Sequence, residues 1–356
     1  MIKFFLHIYI IFYSFSFLMA NDQTINITYI SHVNKDQLFG QQVHLFSKAV
    51  AKDLKINLSI QIPKKNLNRY EYLKFAKKVF ARNIKPDFII AIFYRTISEE
   101  ILKLSHKYKI PVFIVNTNIP IDDKYAVGKP RTKYKNFLGT LASNETKAGY
   151  DLAKYMINKV KQKTPNKSIK IVGIAGPREA TEAIERNKGL LKAVNSDDSV
   201  ILHQILYTNW SQQTAYKMAT RITQRYGNDI NIIWAASDSM SIAIKKALIE
   251  NKRIDILTGG IDLSKNGIKS VKNNMNGGFA LILLYDYYHG KDFVNELGSE
   301  IKLDMFLLSN ENIDKYLYKF SNENWDKIDF RKYSKTLNPN LLNYDFSINS
   351  LFNNLK

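Results

Sequence analysis

Two successive blocks of alternating strand-like and helix-like segments predict an α/β chain of two lobes, each a Rossmann-like parallel sheet wrapped by helices. Three observations carry that expectation. From Thr24 to Asn116, short apolar runs alternate with longer amphipathic stretches with little padding. The rhythm breaks over a long connection, Thr117 to Asn136, and resumes at Ile169. Finally, Ile232 to Asp262 reads IIWAASDSM, SIAIKKALIENKR, IDILTGGID: an apolar strand, an amphipathic helix and a second apolar strand. These strands deliver two carboxylates, Asp238 and Asp262, to the carboxyl edge of one sheet, where open α/β sheets form their pockets.

In the first block, Ile25 to Ile30 reads as a strand and Asp36 to Leu54 as a helix with Leu38, Phe39, Val43, Phe46, Ala49 and Val50 on one side. Ile56 to Ile62 is a strand stopped by Pro63, Asn68 to Arg82 a helix, and Phe88 to Ile92 a strand. A helix over Ile97 to Tyr108 leads to a fourth strand ending at Asn116. The connection that follows is longer than compact domains usually keep without a purpose. Phe137 to Leu141 is a short strand, and Ser143 or Asn144 caps a helix running through Lys161.

The second block opens with a strand over Ile169 to Ile174, then Ala175-Gly176-Pro177 and a helix with Arg186 and Gly189 that ends at Val194. Val200 to Tyr207 is a strand, Asn209-Trp210 a loop, and Gln212 to Tyr226 a helix. Ser239 is positioned to cap the next helix, and Ile254 to Leu257 is the strand after it. Beyond Asp262 the pattern reads as helix to Asn273, strand Phe279 to Leu283, helix Tyr287 to Leu297 and strand Lys302 to Leu308. The aromatic tail from Ile313 is expected to fold back on the body, and the last dozen residues to be loose.

The 356 residues, 45% hydrophobic and 24% charged, suffice for two cores. A net charge of +20 raises the question of a polyanion, but the lysines are scattered over helical surface positions without interleaved aromatics. A solvated basic surface is expected, and no nucleic-acid partner. The absence of cysteine excludes disulfides, thiolate catalysis and cysteine-bound zinc. Lys3, the apolar stretch Phe4 to Leu18 and Ala20 have the order of an export signal cleaved before Asn21, with an uncleaved anchor as the alternative. The six histidines show no paired spacing, and neither GxSxG nor GxxxxGK[ST] occurs, so no metal, cofactor or catalytic residue is expected.

The order of strand–Gly-Pro–helix with Arg186 and Gly189, Asn209-Trp210-Ser211, Ala236-Ser-Asp-Ser-Met240 and Gly260-Ile-Asp262 resembles the type I periplasmic binding proteins, nearest to their sugar-binding branch. The resemblance spans about Ile25 to Leu308. It implies two lobes joined by three hinge crossings, near Phe137–Leu141, Leu284–Asp286 and Glu300–Leu303, with a ligand cleft between them. The corresponding division is 1–20 as signal peptide, 21–137 plus about 285–300 as N-terminal lobe, 138–284 plus about 301–330 as C-terminal lobe, and 331–356 as tail. By position, the resemblance makes Arg186 a donor to ligand hydroxyls, Trp210 a stacking platform, and Asp262 an acceptor. Ser237 falls where an asparagine is common, and Asn34 and Phe39 supply contacts from the first lobe. Asn116-Thr117 replaces an Asp-Arg pair and Leu284 a glutamine, which points to a ligand that is less hydroxylated, smaller or partly anionic.

Each side chain also has a structural reading. Arg186 has as its structural alternative a surface salt bridge with Glu182 or Glu185 on its own helix, Trp210 fits a core, and Asp238 fits a helix cap. Phe93, Tyr94 and Arg95 either line the cleft or pack under a loop. The function expected is that of a monomeric extracytoplasmic protein that closes on a small polar, sugar-like molecule. It would then be read by a membrane permease or sensor. A secreted α/β hydrolase lacks its nucleophile–base motif here, and a sugar-responsive repressor core lacks its N-terminal helix-turn-helix.

Overall fold

Strand pairing sorts the chain into two six-stranded sheets, each with its own hydrophobic cluster, in a computed structural model that describes residues 24–32, 38–64, 67–178, 180–261, 269–271, 275–308 and 325–356. In lobe 1, β1 (Asn26–Ile30), α1 (Leu38–Asp53), β2 (Asn57–Gln61), α2 (Arg69–Phe80), β3 (Phe88–Ala91), α3 (Ser98–Tyr108) and β4 (Val112–Val115) follow one another. A turn at Ile121–Asp123 and the short α4 (Lys124–Val127) lead to β5 (Phe137–Ser143). β3, β4 and β5 are buried along their whole length, which explains runs such as FIIA and VFIV that lack polar alternation. The start of α2 is fixed by a capping box, with Asn68 and Glu71 each satisfying the other's backbone.

Lobe 2 contains α5 (Glu145–Lys163), β6 (Ile169–Ala175), α6 (Thr181–Asn195), β7 (Val200–Tyr207), α7 (Gln212–Tyr226), β8 (Ile232–Ala235), α8 (Asp238–Glu250), β9 (Leu257–Ile261) and β10 (Lys269–Val271). The chain then returns to lobe 1 with α9 (Asn276–Tyr288), α10 (Val294–Leu297) and β11 (Glu300–Leu303), crosses to sheet 2 for β12 (Phe306–Leu308), and is back on lobe 1 from Trp325, ending with α11 (Ile348–Asn353). The sheet orders are β11-β5-β4-β3-β1-β2 and β12-β10-β9-β8-β6-β7. Pairing is parallel throughout except for β12 against β10.

Several expectations are corrected. Phe279 to Leu283 is not a strand but the middle of α9, buried on every side between α1 and sheet 1. A helix enclosed all round has no amphipathic period, so its apolar run cannot be told from a buried strand. Gly278 permits the contact: a Cβ there would lie 2.4 Å from Cδ1 of Phe46 on α1. Lys269–Val271 is a strand within the stretch read as a helix, while residues 262–268 and 272–274 lie outside the described residues. The expected strand Lys302 to Leu308 is two strands in different sheets. The lobe limits move accordingly. Residues 138–143, 275–284 and 301–303 belong to lobe 1, and the crossings fall after Ser143, before Asn276 and after Leu303.

The C-terminal segment from Trp325 is a strap on lobe 1, and its end is not loose: Leu351 and Phe352 are buried on α11. Phe46 meets Phe279, Trp325 and Phe330 edge-on at 5.3, 5.2 and 5.1 Å. Asp286 of α9, fully buried, accepts hydrogen bonds from Ser334 Oγ (2.5 Å), Lys335 N (2.7 Å), Thr336 N (3.0 Å) and the Tyr344 hydroxyl (2.9 Å). Removing a buried acceptor strands its donors, so Asp286→Ala is expected to cost about 2–4 kcal/mol in urea unfolding. An unchanged midpoint would show that the strap is held by apolar contacts alone.

On α1, buried His44 places Nε2 3.1 Å from Ser31 Oγ and packs edge-on to Tyr29. Burial, assisted by the Lys48 charge, lowers its pKa from 6.5 to about 4. Between pH 6.5 and 4 the unfolded chain therefore binds more protons than the folded one. This contribution to stability is full above pH 6.5 and is lost as pH falls through that window. Thermal midpoints measured across it should fall less steeply for His44→Gln than for the parent.

Candidate functional site

The carboxyl ends of β6, β7 and β8 bring together Gly176, Thr208 to Trp210, and Ser237 with Asp238. Arg186 reaches this rim from α6 and is 1% exposed. Its Nε donates to Glu145 Oε2 at 2.6 Å and its Nη1 to the Ala236 carbonyl at 2.5 Å. The expected partners Glu182 and Glu185 are not the ones observed here: Glu185 bonds Thr146 and Lys188. The approach of α6 to α5 explains this choice. A Cβ on Gly189 would lie 2.1 Å from the Thr146 carbonyl oxygen, and one on Gly149 2.1 Å from that of Arg186. Only glycine lets the two helices come this close and bring Glu145 beneath the guanidinium.

Trp210 is partly exposed and has a φ of +65°, a left-handed conformation rare for an aromatic residue. Its N–H donates to Thr208 Oγ1 at 3.0 Å, and its ring lies over Gly176, where a Cβ would be 2.3 Å from Cζ2. The Arg186 guanidinium carbon is 5.8 Å from the ring centroid, within cation–π range. The ring is thus supported from below by glycine and flanked by a fixed positive charge.

Ser237, 5% exposed, is the N-cap of α8 and accepts from Met240 N at 3.4 Å. It takes the capping role that the sequence offered to Ser239 or Asp238. Asp238 is the first helical residue and only partly buried. Gly260 lies within β9, one turn-length later than the strand expected from Ile254, and a Cβ on it would meet the Ser237 carbonyl oxygen at 2.3 Å. Asp262 lies outside the described residues.

The rim of lobe 1 is built from the ends of β1, β3, β4 and β5. Asn116, 6% exposed with φ +63°, accepts from Asn276 Nδ2 at 3.1 Å, and its own Nδ2 reaches the Tyr29 hydroxyl at 3.5 Å. Asn276 Nδ2 also donates to Ser143 Oγ at 3.3 Å. Thr117 Oγ1 accepts from Phe93 N at 2.9 Å. Asn116 and Thr117, which stand where the resemblance implies ligand contacts, therefore have bonds that shape the rim. Phe93 is buried and packs edge-on to Phe137, and Arg95 Nε donates to Asp122 at 2.7 Å. Tyr94 donates to the Leu67 carbonyl. Burial, and then the charge of Glu182 on α6 of lobe 2, raise its pKa to about 12. Asn34 lies outside the described residues, as does the side chain of Phe39, whose backbone is in the first turn of α1.

Two crossings meet at Asn144. Its N–H donates to the Leu303 carbonyl at 2.8 Å, its Nδ2 to Asp304 Oδ1 at 3.0 Å, and its Oδ1 caps α5 through Lys147 N at 3.2 Å. Glu145 is the next residue, so the buried ion pair adjoins the crossing. The residues missed from sequence are Glu145, Asn276 and Tyr29. Asn276 preceding Gly277-Gly278 is the available signal, obscured because the apolar run after it reads as a strand. Among the described residues no cluster suits a metal ion, and no helix is long and apolar enough to cross a membrane. A depression of about 390 Å³ at the amino ends of β1 and β2, lined by Asn26, Asn57, Arg82 and Lys85, is at the opposite edge of the sheet from this rim.

Comparison with solved structures shows the same fold. A periplasmic sugar-binding protein from Pseudomonas fluorescens superposes with a TM-score of 0.80 at 23% identity, over 92% of this chain and 99% of that one. A galactofuranose binding protein gives 0.68 at 18% identity, over 84% and 99%. The arabinose-transporter binding protein of Shewanella sp. ANA-3, bound to α and β-L-arabinofuranose, gives 0.68 at 19%, over 84% and 96%. Among curated proteins, none matches the chain. The model of the periplasmic binding protein domain matches residues 27–289, and with two largely parallel sheets in two lobes and polar rims at the strand ends, the chain belongs to that family.

Proposed function

We propose that the chain is an exported solute-binding protein that closes its lobes on a monosaccharide-like ligand and is then recognised by a membrane permease or sensor. The observation that carries this reading is Trp210, held out by a left-handed backbone, backed by Gly176 and flanked by Arg186. An aromatic face of that kind suits the apolar face of a sugar ring, while the polar groups around it suit hydroxyls. Solved proteins of the same fold are described with galactofuranose, arabinofuranose, D-allose and D-arabinose, which supports the class of ligand.

In this reading Trp210 stacks on the ring, and Ser237, Asp238 and Asp262 receive hydroxyls from lobe 2. Asn34 and Phe39 approach from lobe 1, and Asn116 with Thr117 sets the shape of that rim. Arg186, with Nε and Nη1 already bound, acts mainly by positioning Trp210 and the end of β8. Closure excludes water and strengthens each hydrogen bond to the ligand. The export signal in residues 1–20 and a single-copy state complete the proposal.

A ligand at one hundred times its Kd contributes about 2.7 kcal/mol, or about 5–10 °C in melting temperature for lobes of this size. A panel of pentoses and hexoses in furanose and pyranose forms should give such a rise for the parent. Trp210→Ala should lose most of it, and Arg186→Lys, which keeps the charge but not the planar fork, should reduce it. A Trp210→Ala protein that responds like the parent would contradict the assignment.

A further inference from the structure

The connection between β4 and β5 exposes two large apolar side chains beside the lobe 1 rim. Ile121 is 73% and Tyr125 99% exposed. They stand four residues apart in a continuous helical turn, so they project from one face. The turn is firmly held. Asp123, 7% exposed, accepts from Thr96 N at 2.9 Å and from Ser98 N at 3.4 Å. Asp122 is paired with Arg95, Lys133 Nζ donates to the Ala126 carbonyl at 2.7 Å, and Val127 is buried beneath. Thr96 and Ser98 follow the carboxyl end of β3, so the knob is anchored on the cleft side of the lobe.

A loop anchored this well could have turned its apolar side chains inward, yet they remain in water. Beside them, Lys124 and Lys129 are exposed and make no ion pair among the described residues. A tyrosine and an isoleucine exposed on the same short segment as two lysines without ion pairs match a boundary with negative charge above a shallow apolar layer. Together with a net charge of +20, that boundary is an anionic lipid surface.

We infer that Ile121, Lys124, Tyr125 and Lys129 form a membrane-surface contact that turns the cleft side of lobe 1 toward an anionic bilayer. The contact does not depend on what the cleft binds. Tyr125 and Ile121 enter the headgroup layer, and the lysines remain among the phosphates.

The test is co-sedimentation of the full chain with vesicles of phosphatidylglycerol and phosphatidylethanolamine, against vesicles of phosphatidylcholine alone. The parent should partition onto the anionic vesicles. Each lysine at such a surface contributes about fivefold, so Lys124→Glu/Lys129→Glu should lower partitioning by about thirtyfold or more. Ile121→Ser/Tyr125→Ser, which keeps the charge, should also lower it, and the binding left should be abolished by salt. Lys163→Glu/Lys167→Glu, an equal charge change on exposed residues of lobe 2, should behave like the parent. All four substituted positions of the knob are exposed, so melting temperatures and any monosaccharide shift should stay unchanged. Equal losses for the knob and control variants would overturn the proposal in favour of diffuse attraction. A parent that binds no vesicle would overturn it in favour of a protein socket.

Discussion

The buried ion pair between Arg186 and Glu145 is the constraint on which lobe 2 and its connection to lobe 1 depend. Taking both charges from water is costly, and the pair is tolerated because close geometry and a backbone carbonyl return much of that cost. Its value is therefore positional. Arg186 belongs to the helix after β6, Glu145 opens the helix at the first crossing, and the Ala236 carbonyl ends β8. One guanidinium thus ties together a hinge, a helix crossing made possible by Gly149 and Gly189, and the rim on which Trp210 and Ser237 stand.

Lobe 1 solves the corresponding problem with a helix held at both ends. At its start, Asn276 joins the ends of β4 and β5 through Asn116 and Ser143. Near its end, Asp286 gathers four donors from the C-terminal strap. Because α9 enters lobe 1 directly from a crossing, the rim and the strap share one rigid element. The strap adds aromatic packing around Phe46 without contributing a strand, which gives lobe 1 an apolar cluster much larger than its sheet alone would build. Closing motions are then expected to be rigid-body movements about the crossings rather than deformation within either lobe.

Much of this architecture was legible in the sequence. Strands buried on both faces announced themselves as unbroken apolar runs, and Asn68 and Asn144 marked helix starts that the structure reproduces. Trp210 and Arg186 read from the sequence as ligand contacts, and both stand at the carboxyl ends of the lobe 2 strands. What could not be read were relations between distant segments. The partner of Arg186 lies 41 positions earlier on another helix, so neighbouring Glu182 and Glu185 looked equally suitable. The all-apolar α9 passed for a strand because enclosure removes the periodicity that distinguishes the two, and this error carried the second crossing to the wrong side of it. Asn116 looked like a ligand contact, and its bonds to Tyr29 and Asn276 span 87 and 160 positions.

The chain contains no cysteine, so a pair of spin labels can be introduced at exposed Lys78 on α2 and Lys217 on α7 without background. Pulsed dipolar spectroscopy of that pair, with and without the monosaccharide giving the largest melting shift, tests directly whether the two lobes enclose a guest. A shorter, narrower distance distribution on saturation is the predicted result, with Glu145→Gln failing to narrow it. Superimposable distributions in the free and saturated parent would contradict the account.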